Sequence, residues 1–403
     1  MLRGDRPTRF RDVFAVGEFR ALWLAQAFSV AGDQLAAVAI AVLVFQRTGS
    51  PAWTALSYAM TFLPDLAGGA LLAGLADRFP RRRVMVTCDL VRAALVAVMA
   101  VPGQPVASLI VVLGVAQLLG APFQAARGAV LPAALTGDRY LTGVMITRVT
   151  VQLGQVTGFA AGAAIVAAMG ARVALLADAG TFLFSAALVR AGSRPHRPPT
   201  APGGPAPTWL STIRAGFSLV ARDPRLRSLV GLACVCGAYV VPEGLAVPYA
   251  AQIHAGTSAA GWLLAASPAG MVTGMVALQR FPPQARTRLM GPMAVASCAA
   301  LLPTVLAPDL AGTLALWFAS GVASAYNMIT NTVFVQNVPD HARGQAIGLA
   351  QAALRLAQGA GILGAGLLAQ LLTPGVVVAV MAAAGIVFAV TMAAAWSRTL
   401  PAR

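Results

Sequence analysis

Residues 73–83 read AGLADRFPRRR and decide the fold of this chain. The stretch runs from the end of one apolar segment, 52–75, to the start of another, 84–101, and it carries one acid, Asp77, among four arginines. A related stretch, QRFP at 279–282, follows an apolar segment in the second half. A short charged loop between segments long enough to cross a bilayer is typical of a helical protein that spans the membrane many times.

The composition supports a membrane protein. The chain has 403 residues, of which 58% are hydrophobic and 10% are charged, whereas a soluble domain has about 25% charged residues. Twelve spans of roughly 20 residues need roughly 240 residues. The remainder provides short loops and one longer linker, but no added catalytic domain, so we expect no enzyme.

Apolar segments of span length can be placed along both halves of the chain. They cover 21–46, 52–75, 84–101, 106–126, 142–168, 171–190, 227–250, 257–279, 288–307, 309–335, 344–371 and 374–397. The apolar run after the basic N-terminus is too long for a signal sequence, so the first segment is predicted to be retained. The fold class predicted from this pattern is an all-α membrane protein with twelve transmembrane helices.

The net charge of +16 is carried entirely by arginine, because the chain has 29 basic residues and none is lysine. Excess basic charge near span ends marks the cytoplasmic side. With both termini in the cytoplasm, that side receives Arg3, Arg6, Arg9, Arg11, Arg20, Arg78, Arg81, Arg82, Arg83, Arg127, Arg139, the group from Arg190 to Arg227, Arg280, Arg286, Arg288, Arg343, Arg398 and Arg403. The opposite side receives only Arg47 and Arg172. The charge therefore predicts topology in a cell membrane, and nucleic acid is not an expected partner.

The two halves resemble each other in sequence. The motif at 77–80 (DRFP) corresponds to 279–282 (QRFP), and Pro132 corresponds to Pro339. This repeat predicts two pseudo-symmetric six-helix bundles, 1–190 and 227–403, with a binding site between them near the midplane. Between the bundles, 191–226 is predicted to form a cytoplasmic linker that is rich in Pro and Gly and ends in an interfacial helix.

The loop at 73–83 resembles the loop signature G-x-L-A-D-R-x-G-R-[KR] of the major facilitator superfamily. Leu75, Ala76, Asp77, Arg78, Arg81 and Arg82 fit it, whereas Ala73 and Pro80 replace the two glycines. Residues 89–92 (DLVR), 123–132 (FQAARGAVLP) and 338–344 (VPDHARG) are similar to the branch that contains siderophore and macrolide exporters. The resemblance extends from about residue 15 to about residue 397. It implies a secondary transporter that works by alternating access.

The loop motif is predicted to act as a gate. A carboxylate at Asp77 can face the positive end of the next helix and bridge to Arg127. The gating set is Asp77, Arg78, Arg81, Arg82, Asp89, Arg92 and Arg127. Within it, Asp89 and Arg92 stand at i and i+3 and are expected to pair locally. The alternative is that the loop arginines only determine topology.

The helix 5 signature of drug antiporters is only partly present. Gly154, Gly158 and Gly162 keep its spacing, but Phe159 and Ala163 replace the Pro and the last Gly. Close helix packing through small residues explains these glycines equally well.

Ionisable residues at bilayer depth are costly and are candidates for function. We select Asp33, Asp65 and Glu243 for proton coupling; Asp33 lies about 13 residues into its helix, or roughly 20 Å. The alternative for Asp33 is permanent pairing with an arginine. Asp178, near the outer surface, is interpreted as a solvated or packing group.

Polar residues at matching positions of the two halves predict the lining of a substrate cavity. They are Gln26, Gln117, Gln124, Arg148, Gln152, Tyr326, Asn327, Asn331 and Arg355. Arg148 and Arg355 are equivalent in the repeat and could bind an anionic group or pair with the acids. For the amide side chains, hydrogen bonds between helices are the alternative.

The function expected from these features is proton-coupled efflux of a small amphipathic organic compound, such as a drug, a natural product or a siderophore. Uptake or uniport of a metabolite is the alternative, and a receptor that does not transport is a third possibility. The cysteine spacing matches no zinc site, and neither a Walker motif nor a nucleophile elbow is present. We therefore expect no metal or cofactor, and a monomer whose partners are a small molecule, protons and lipid.

Overall fold

The computed structural model describes residues 10–72, 74–194, 209–306, 309–339 and 342–399. The side chains of residues 70, 77, 141, 209–213, 215 and 257 also lie outside the description. The predictions for the terminal arginines, for most of the Pro-rich linker and for Asp340 and His341 therefore fall outside the described residues.

In the first half of the chain, the described residues form ten helices. They are α1 Phe10–Phe14, α2 Gly17–Thr48, α3 Pro51–Ala59, α4 Leu63–Leu72, α5 Leu75–Arg78, α6 Arg81–Met99, α7 Val106–Leu118, α8 Gly120–Ala134, α9 Asp138–Met169 and α10 Ala171–Gly192.

In the second half of the chain, the described residues form ten further helices, with interruptions at other places than in the first half. Its helices are α11 Trp209–Arg222, α12 Pro224–Cys234, α13 Cys236–Tyr239, α14 Val241–Gln252, α15 Thr257–Leu278, α16 Pro283–Ala299, α17 Leu310–Ser324, α18 Tyr326–Asn337, α19 Arg343–Leu368 and α20 Pro374–Thr399, with a 3₁₀ turn at Leu302–Leu306. Side-chain caps start several of them, as at Asp223, which accepts from the Arg225 amide at 2.8 Å, and at Asp309, which accepts from the Gly312 amide at 2.9 Å.

Each predicted apolar segment coincides with a helix or with consecutive helices, and the described residues contain no strand. The all-α fold is therefore confirmed. Among the described residues, nine helical stretches are long and apolar enough to cross a membrane. The other three predicted segments, at 52–75, 84–101 and 309–335, are covered by helices that are interrupted, shorter or more polar.

Proline accounts for two interruptions. The chain leaves the helix at residues 60–62, between α3 and α4, because Pro64 has no N–H to donate to the carbonyl of Met60. A second break, in the segment 227–250, lies between α13 and α14, where Pro242 occupies the first turn of α14. Pro248 lies inside α14 and does not end it.

The chain divides into two compact units. One contains residues 1–39 and 64–204, and the other contains residues 40–63 and 205–403. The second unit therefore includes the end of α2 and all of α3. The bundle boundaries given above from the sequence repeat remain a prediction.

The glycines of α9 allow it to pack closely on α2 within the first unit. A Cβ added at Gly158 would lie 2.4 Å from the backbone oxygen of Ala31, and one added at Gly162 would lie 3.0 Å from the Cα of Leu35. Real Cβ atoms do not come this near to backbone atoms. The glycine spacing on α9 thus has a structural role in helix packing.

In the second unit, α11 packs on the first turns of α19. A Cβ added at Gly216 would lie 2.7 Å from the backbone oxygen of Gln345. The predicted helix at this position is therefore present, whereas its location at a membrane interface remains a prediction.

Candidate functional site: a buried charge cluster in the first unit and a Tyr–Glu pair in the second

An ion pair joins α2 and α6 inside the first unit. The Arg92 Nη2 atom donates to Asp33 Oδ1 at 2.6 Å. The Arg92 side chain is 5% exposed, whereas that of Asp33 is 23% exposed. The pair is thus buried on the arginine side and partly accessible on the carboxylate side.

Two further contacts hold these side chains in place. The guanidinium of Arg92 lies over the ring of Phe182 on α10, 4.1 Å from its centroid, which is a cation–π contact. Gln117 on α7 donates a hydrogen bond to Asp33. Asp65 on α4 is near enough to Asp33 for the two charges to interact. Two predicted proton-coupling residues and one predicted cavity residue therefore meet at this point.

The predicted local pair of Asp89 with Arg92 is wrong. Although both residues lie on α6, Arg92 pairs with Asp33 instead, and Asp89 Oδ2 accepts a hydrogen bond from Ser185 Oγ on α10 at 2.6 Å. An i, i+3 spacing permits a pair on one helix, but here neighbouring helices provide other partners for both groups. Asp33 is thus paired with an arginine in this structure, and its role in proton coupling remains a prediction.

Asp178 on α10 is not solvated, because its residue is only 1% exposed. Thr181 Oγ1 lies 3.1 Å from Asp178 Oδ1 and 2.8 Å from the backbone oxygen of Asp178. A Cβ added at Gly32 would lie 2.3 Å from Asp178 Oδ1, so α2 passes directly against this carboxyl group. Asp178 therefore contacts α2 at the residue that precedes Asp33.

A chain of polar side chains leads away from this cluster within the first unit. Gln124 Nε2 donates to Gln26 Oε1 at 3.3 Å, and Arg127 Nη1 donates to Gln124 Oε1 at 3.2 Å. Gln26 and Arg127 are 3% and 8% exposed. The structure thus brings together two predicted cavity residues and one predicted gating residue, through one hydrogen bond between α8 and α2 and one within α8.

The other residues of the gating motif lie at the α5 to α6 corner. Arg81 Nη1 donates to the backbone oxygen of Ala129 at 2.8 Å, and Arg82 Nη1 donates to that of Ser193 at 3.3 Å. Arg78 is exposed. The side chain of Asp77 lies outside the described residues, so its predicted bridge to Arg127 remains a prediction.

In the second unit, Glu243 on α14 accepts a hydrogen bond from the hydroxyl of Tyr58 on α3, with 2.9 Å between the oxygens. Tyr58 is 4% exposed. Nearby, the guanidinium of Arg355 on α19 lies 5.6 Å from the centroid of the Phe62 ring. Glu243 and Arg355 are thus each positioned by an aromatic residue that the sequence analysis did not select.

The polar residues of α18 have different surroundings. Tyr326 is fully buried, and its hydroxyl donates to the backbone oxygen of Leu232 at 2.7 Å. Asn327 Nδ2 donates to the hydroxyl of Tyr239. Asn331 is half-buried. Tyr326 therefore joins α18 to α12. The role of Asn327 and Asn331 in lining a cavity remains a prediction.

On α9 in the first unit, Arg148 is exposed and Gln152 is half-buried. Within the described part of the chain, the ion pair of Asp33 is with Arg92 and not with Arg148. A role for Arg148 in binding a substrate therefore remains a prediction.

The sequence analysis did not select Tyr58 as a site residue, and it gave Asp178 only the role of a solvated or packing group. A signal for Asp178 was present, since Asp178, Thr181 and Ser185 stand at i, i+3 and i+7 and form one polar stripe on α10. No comparable signal marks Tyr58, because tyrosine in an apolar helix is ordinary. Among the described residues, no cluster of three or more His, Cys, Asp or Glu side chains is arranged to hold a metal ion.

A membrane-spanning helical protein with ionisable groups buried between its helices has the general structure of a transporter. Comparison with known proteins agrees with this class. The Major Facilitator Superfamily model matches residues 22–311. The chain belongs to this superfamily and is a transporter, not an enzyme.

The individual proteins that resemble this chain share only a minority of its residues. The chain is 28% identical to the enterobactin exporter EntS of Escherichia coli O139:H28 over 385 residues, covering 88% of this chain and 86% of that protein. EntS of Escherichia fergusonii matches equally well. Among solved structures, a bacterial homolog of the human lysosomal transporter Spinster, inward-facing and occupied, has a TM-score of 0.73 at 17% identity and covers 98% of both chains. The nucleoside transporter NupG has a TM-score of 0.73 at 15% identity, covering 94% of this chain and 98% of its own. These structures show a shared fold.

Proposed function

We propose that this transporter exports a small amphipathic organic compound from the cytoplasm in exchange for protons. The ion pair between Asp33 and Arg92 is the observation that carries the proposal. A carboxylate that is partly accessible and paired with a buried guanidinium can be reached by a proton, and protonation would release the arginine. In this scheme, Asp33 binds the proton and Arg92 responds to it.

The polar surroundings of Asp33 support a coupling role over a purely structural one. Gln117 donates to Asp33, and Asp65 adds a second negative charge nearby. A group that only held two helices together would gain nothing from a like charge beside it. The Tyr58–Glu243 pair provides a separate protonatable group in the second unit.

The direction of transport rests on the relatives. The EntS proteins are named as enterobactin exporters, and we extend export to this chain as part of the proposal. The same proposal places the protein in the cell membrane as a monomer with both termini in the cytoplasm. The compounds that fit the proposed export are siderophores, drugs and natural products.

The test uses inverted membrane vesicles that contain the protein and an imposed pH gradient that is acidic inside. Enterobactin and a fluorescent amphiphile serve as separate probes. We expect the wild type to accumulate at least one probe in response to the gradient. Asp33→Asn should lose roughly tenfold or more of the gradient-driven rate, because a carboxamide cannot carry the proton.

The matched control is Asp309→Asn, which alters an acid that caps α17 and accepts from the Gly312 amide. This variant should transport like the wild type. Accumulation that is independent of the gradient, together with equal counterflow in both directions, would instead support uniport. Equal gradient-driven rates for wild type and Asp33→Asn would contradict coupling through Asp33.

A further inference from the structure

We propose that Asp178 is a second proton-carrying carboxylate of the Asp33 site, and that Arg92 exchanges between Asp33 and Asp178 during transport. This inference rests on the proposed proton exchange and adds a residue to it. It adds an acid of α10 to the ion pair that joins α2 and α6.

The charges of the cluster do not balance without bound protons. Asp33, Asp89 and Asp178 provide three carboxyl groups around one guanidinium, that of Arg92. Asp89, Arg92 and Asp178 are 0%, 4% and 1% exposed. If all three acids were ionised, the cluster would carry a net charge of −2 at bilayer depth, where an uncompensated charge is strongly disfavoured. The cluster therefore holds protons.

The hydrogen bonds indicate where one of these protons lies. Asp33 has the guanidinium at 2.6 Å and the amide of Gln117 as donors, so it is stabilised as a carboxylate. Asp178 has only the hydroxyl of Thr181 as a donor. The Thr181 Oγ1 atom lies 2.8 Å from the backbone oxygen of Asp178 and 3.1 Å from Oδ1, and its single proton can serve only one of these two acceptors. An ionised Asp178 would be almost uncompensated, and the structure therefore favours its neutral acid.

The backbone of α2 brings the two acids together. Gly32 precedes Asp33, and a Cβ at Gly32 would overlap both Thr181 Oγ1, at 2.2 Å, and Asp178 Oδ1, at 2.3 Å. Only glycine leaves room for the Asp178 carboxyl group beside this backbone. Arg92 meanwhile lies over Phe182, the residue at i+4 from Asp178 on α10. Since residues four apart lie on the same face of a helix, Arg92 already faces the side of α10 that carries Asp178.

The exchange is balanced in charge and in protons. In the arrangement seen here, Asp33 is ionised and paired with Arg92, and Asp178 holds the proton. When Asp33 takes up a proton, its pair with Arg92 is lost and the guanidinium moves to Asp178, which releases its own proton. The Asp33–Asp178–Arg92 group has one proton and no net charge before and after the step.

Four charged groups on neighbouring helices surround this part of α10 or act on Asp33. Asp33 on α2 and Asp89 and Arg92 on α6 face this side of α10, and Asp65 on α4 acts on Asp33. The α9 helix also packs against α10, but its nearest charged residue, Arg148, stands 22 residues before the Gly170 corner, whereas Asp178 stands eight residues after it. At 1.5 Å per residue, this difference separates the two by roughly 20 Å along the helices. Asp89 accepts from Ser185 at Oδ2, whereas its buried Oδ1 has no hydrogen-bond partner, so Asp89 is taken as a second protonated acid that does not change during the step.

The test is infrared spectroscopy of the purified full-length protein in lipid, which reads the carbonyl stretch of protonated carboxyl groups without a substrate or a gradient. We expect the wild type at about pH 7 to show this absorption and Asp178→Asn to lose one component of it. Asp33→Asn should also lose one component, because Arg92 then pairs with Asp178. The exposed control Asp309→Asn should match the wild type.

A second variant covers the case in which Asp178→Asn does not fold. Asp178→Glu keeps the acid, and its protonated band should move to the position typical of glutamic acid. An unchanged spectrum in either variant overturns the inference. If Asp178→Asn loses the band but Asp33→Asn transports like the wild type in vesicles, the shared proton stands and the proposed coupling through Asp33 fails.

Discussion

At the scale of single residues, the half-buried Glu243 accepts a hydrogen bond from one tyrosine hydroxyl. Tyr58 donates to it at 2.9 Å, and a buried acceptor that loses its donor costs about 1–3 kcal/mol. We expect Tyr58→Phe to lower the apparent melting temperature of the purified protein, measured by thermal unfolding in detergent. In a Glu243→Gln background the same change should cost less, since the bond to a neutral amide oxygen is weaker. Equal losses in both backgrounds would contradict a charge-assisted bond.

The partner of each buried charge was the part of the site that the sequence did not predict. The position of Asp33 near the middle of its helix followed from counting residues along the first apolar segment. Its pairing with Arg92 did not, because a helical pattern places a residue on a face but does not say which neighbouring helix that face meets. For the same reason Asp89 was assigned to Arg92, three residues away, when its donor is Ser185 on α10.

At the scale of helices, glycines determine how closely α15 and α17 pack. A Cβ added at Gly270 or Gly321 would lie 2.1 Å from a backbone oxygen of the opposite helix, at Phe318 or Ser267. At Gly274 the corresponding distance is 2.2 Å, to Val322. The helices are thus in backbone contact over about two turns, a form of packing that depends on small residues in membranes.

This contact predicts a difference between two Gly→Ala variants. Gly321→Ala should separate α15 from α17 and destabilise the protein by about 1–3 kcal/mol, as overpacking does. Gly364→Ala, on α19, is the matched control, because an added Cβ there meets no atom within 4 Å. The control should be neutral or up to about 1 kcal/mol more stable, since alanine favours helix. Thermal unfolding of the two variants side by side would measure the difference, and equal stabilities would contradict the contact.

The existence and limits of the helices were largely predictable, whereas their interruptions were only partly so. Segment 142–168 corresponds to α9 at Asp138–Met169 and segment 257–279 to α15 at Thr257–Leu278, because hydrophobic length alone fixes such spans. Pro64 and Pro242 explain two breaks. The interruption between α17 and α18 at Ala325 has no proline, and it depends on tertiary packing that composition does not encode.

At the scale of the whole molecule, the arginine distribution predicts which ends of the helices face the cytoplasm. Gln284, in the first turn of α16, is exposed and should face the cytoplasm, while Arg172, at the start of α10, is exposed and should face outward. In intact cells, a membrane-impermeant thiol reagent should label Arg172→Cys but not Gln284→Cys. The wild type is the background control, since its four cysteines are buried or half-buried. Labelling of Gln284→Cys alone would reverse the orientation.

The three predicted segments that lack a long apolar helix also carry much of the polar chemistry: Asp65 on α4, Asp89 and Arg92 on α6, and Asn327 on α18. During synthesis, such segments enter the bilayer less readily by their own hydrophobicity than the nine that qualify. The α2 helix is made before α6, and its Asp33 can accept Arg92 as α6 leaves the translocation machinery. The same ion pair that lies at the centre of the site would then help to bring α6 into the membrane. Arg92 would thus serve both the insertion of α6 and the transport step.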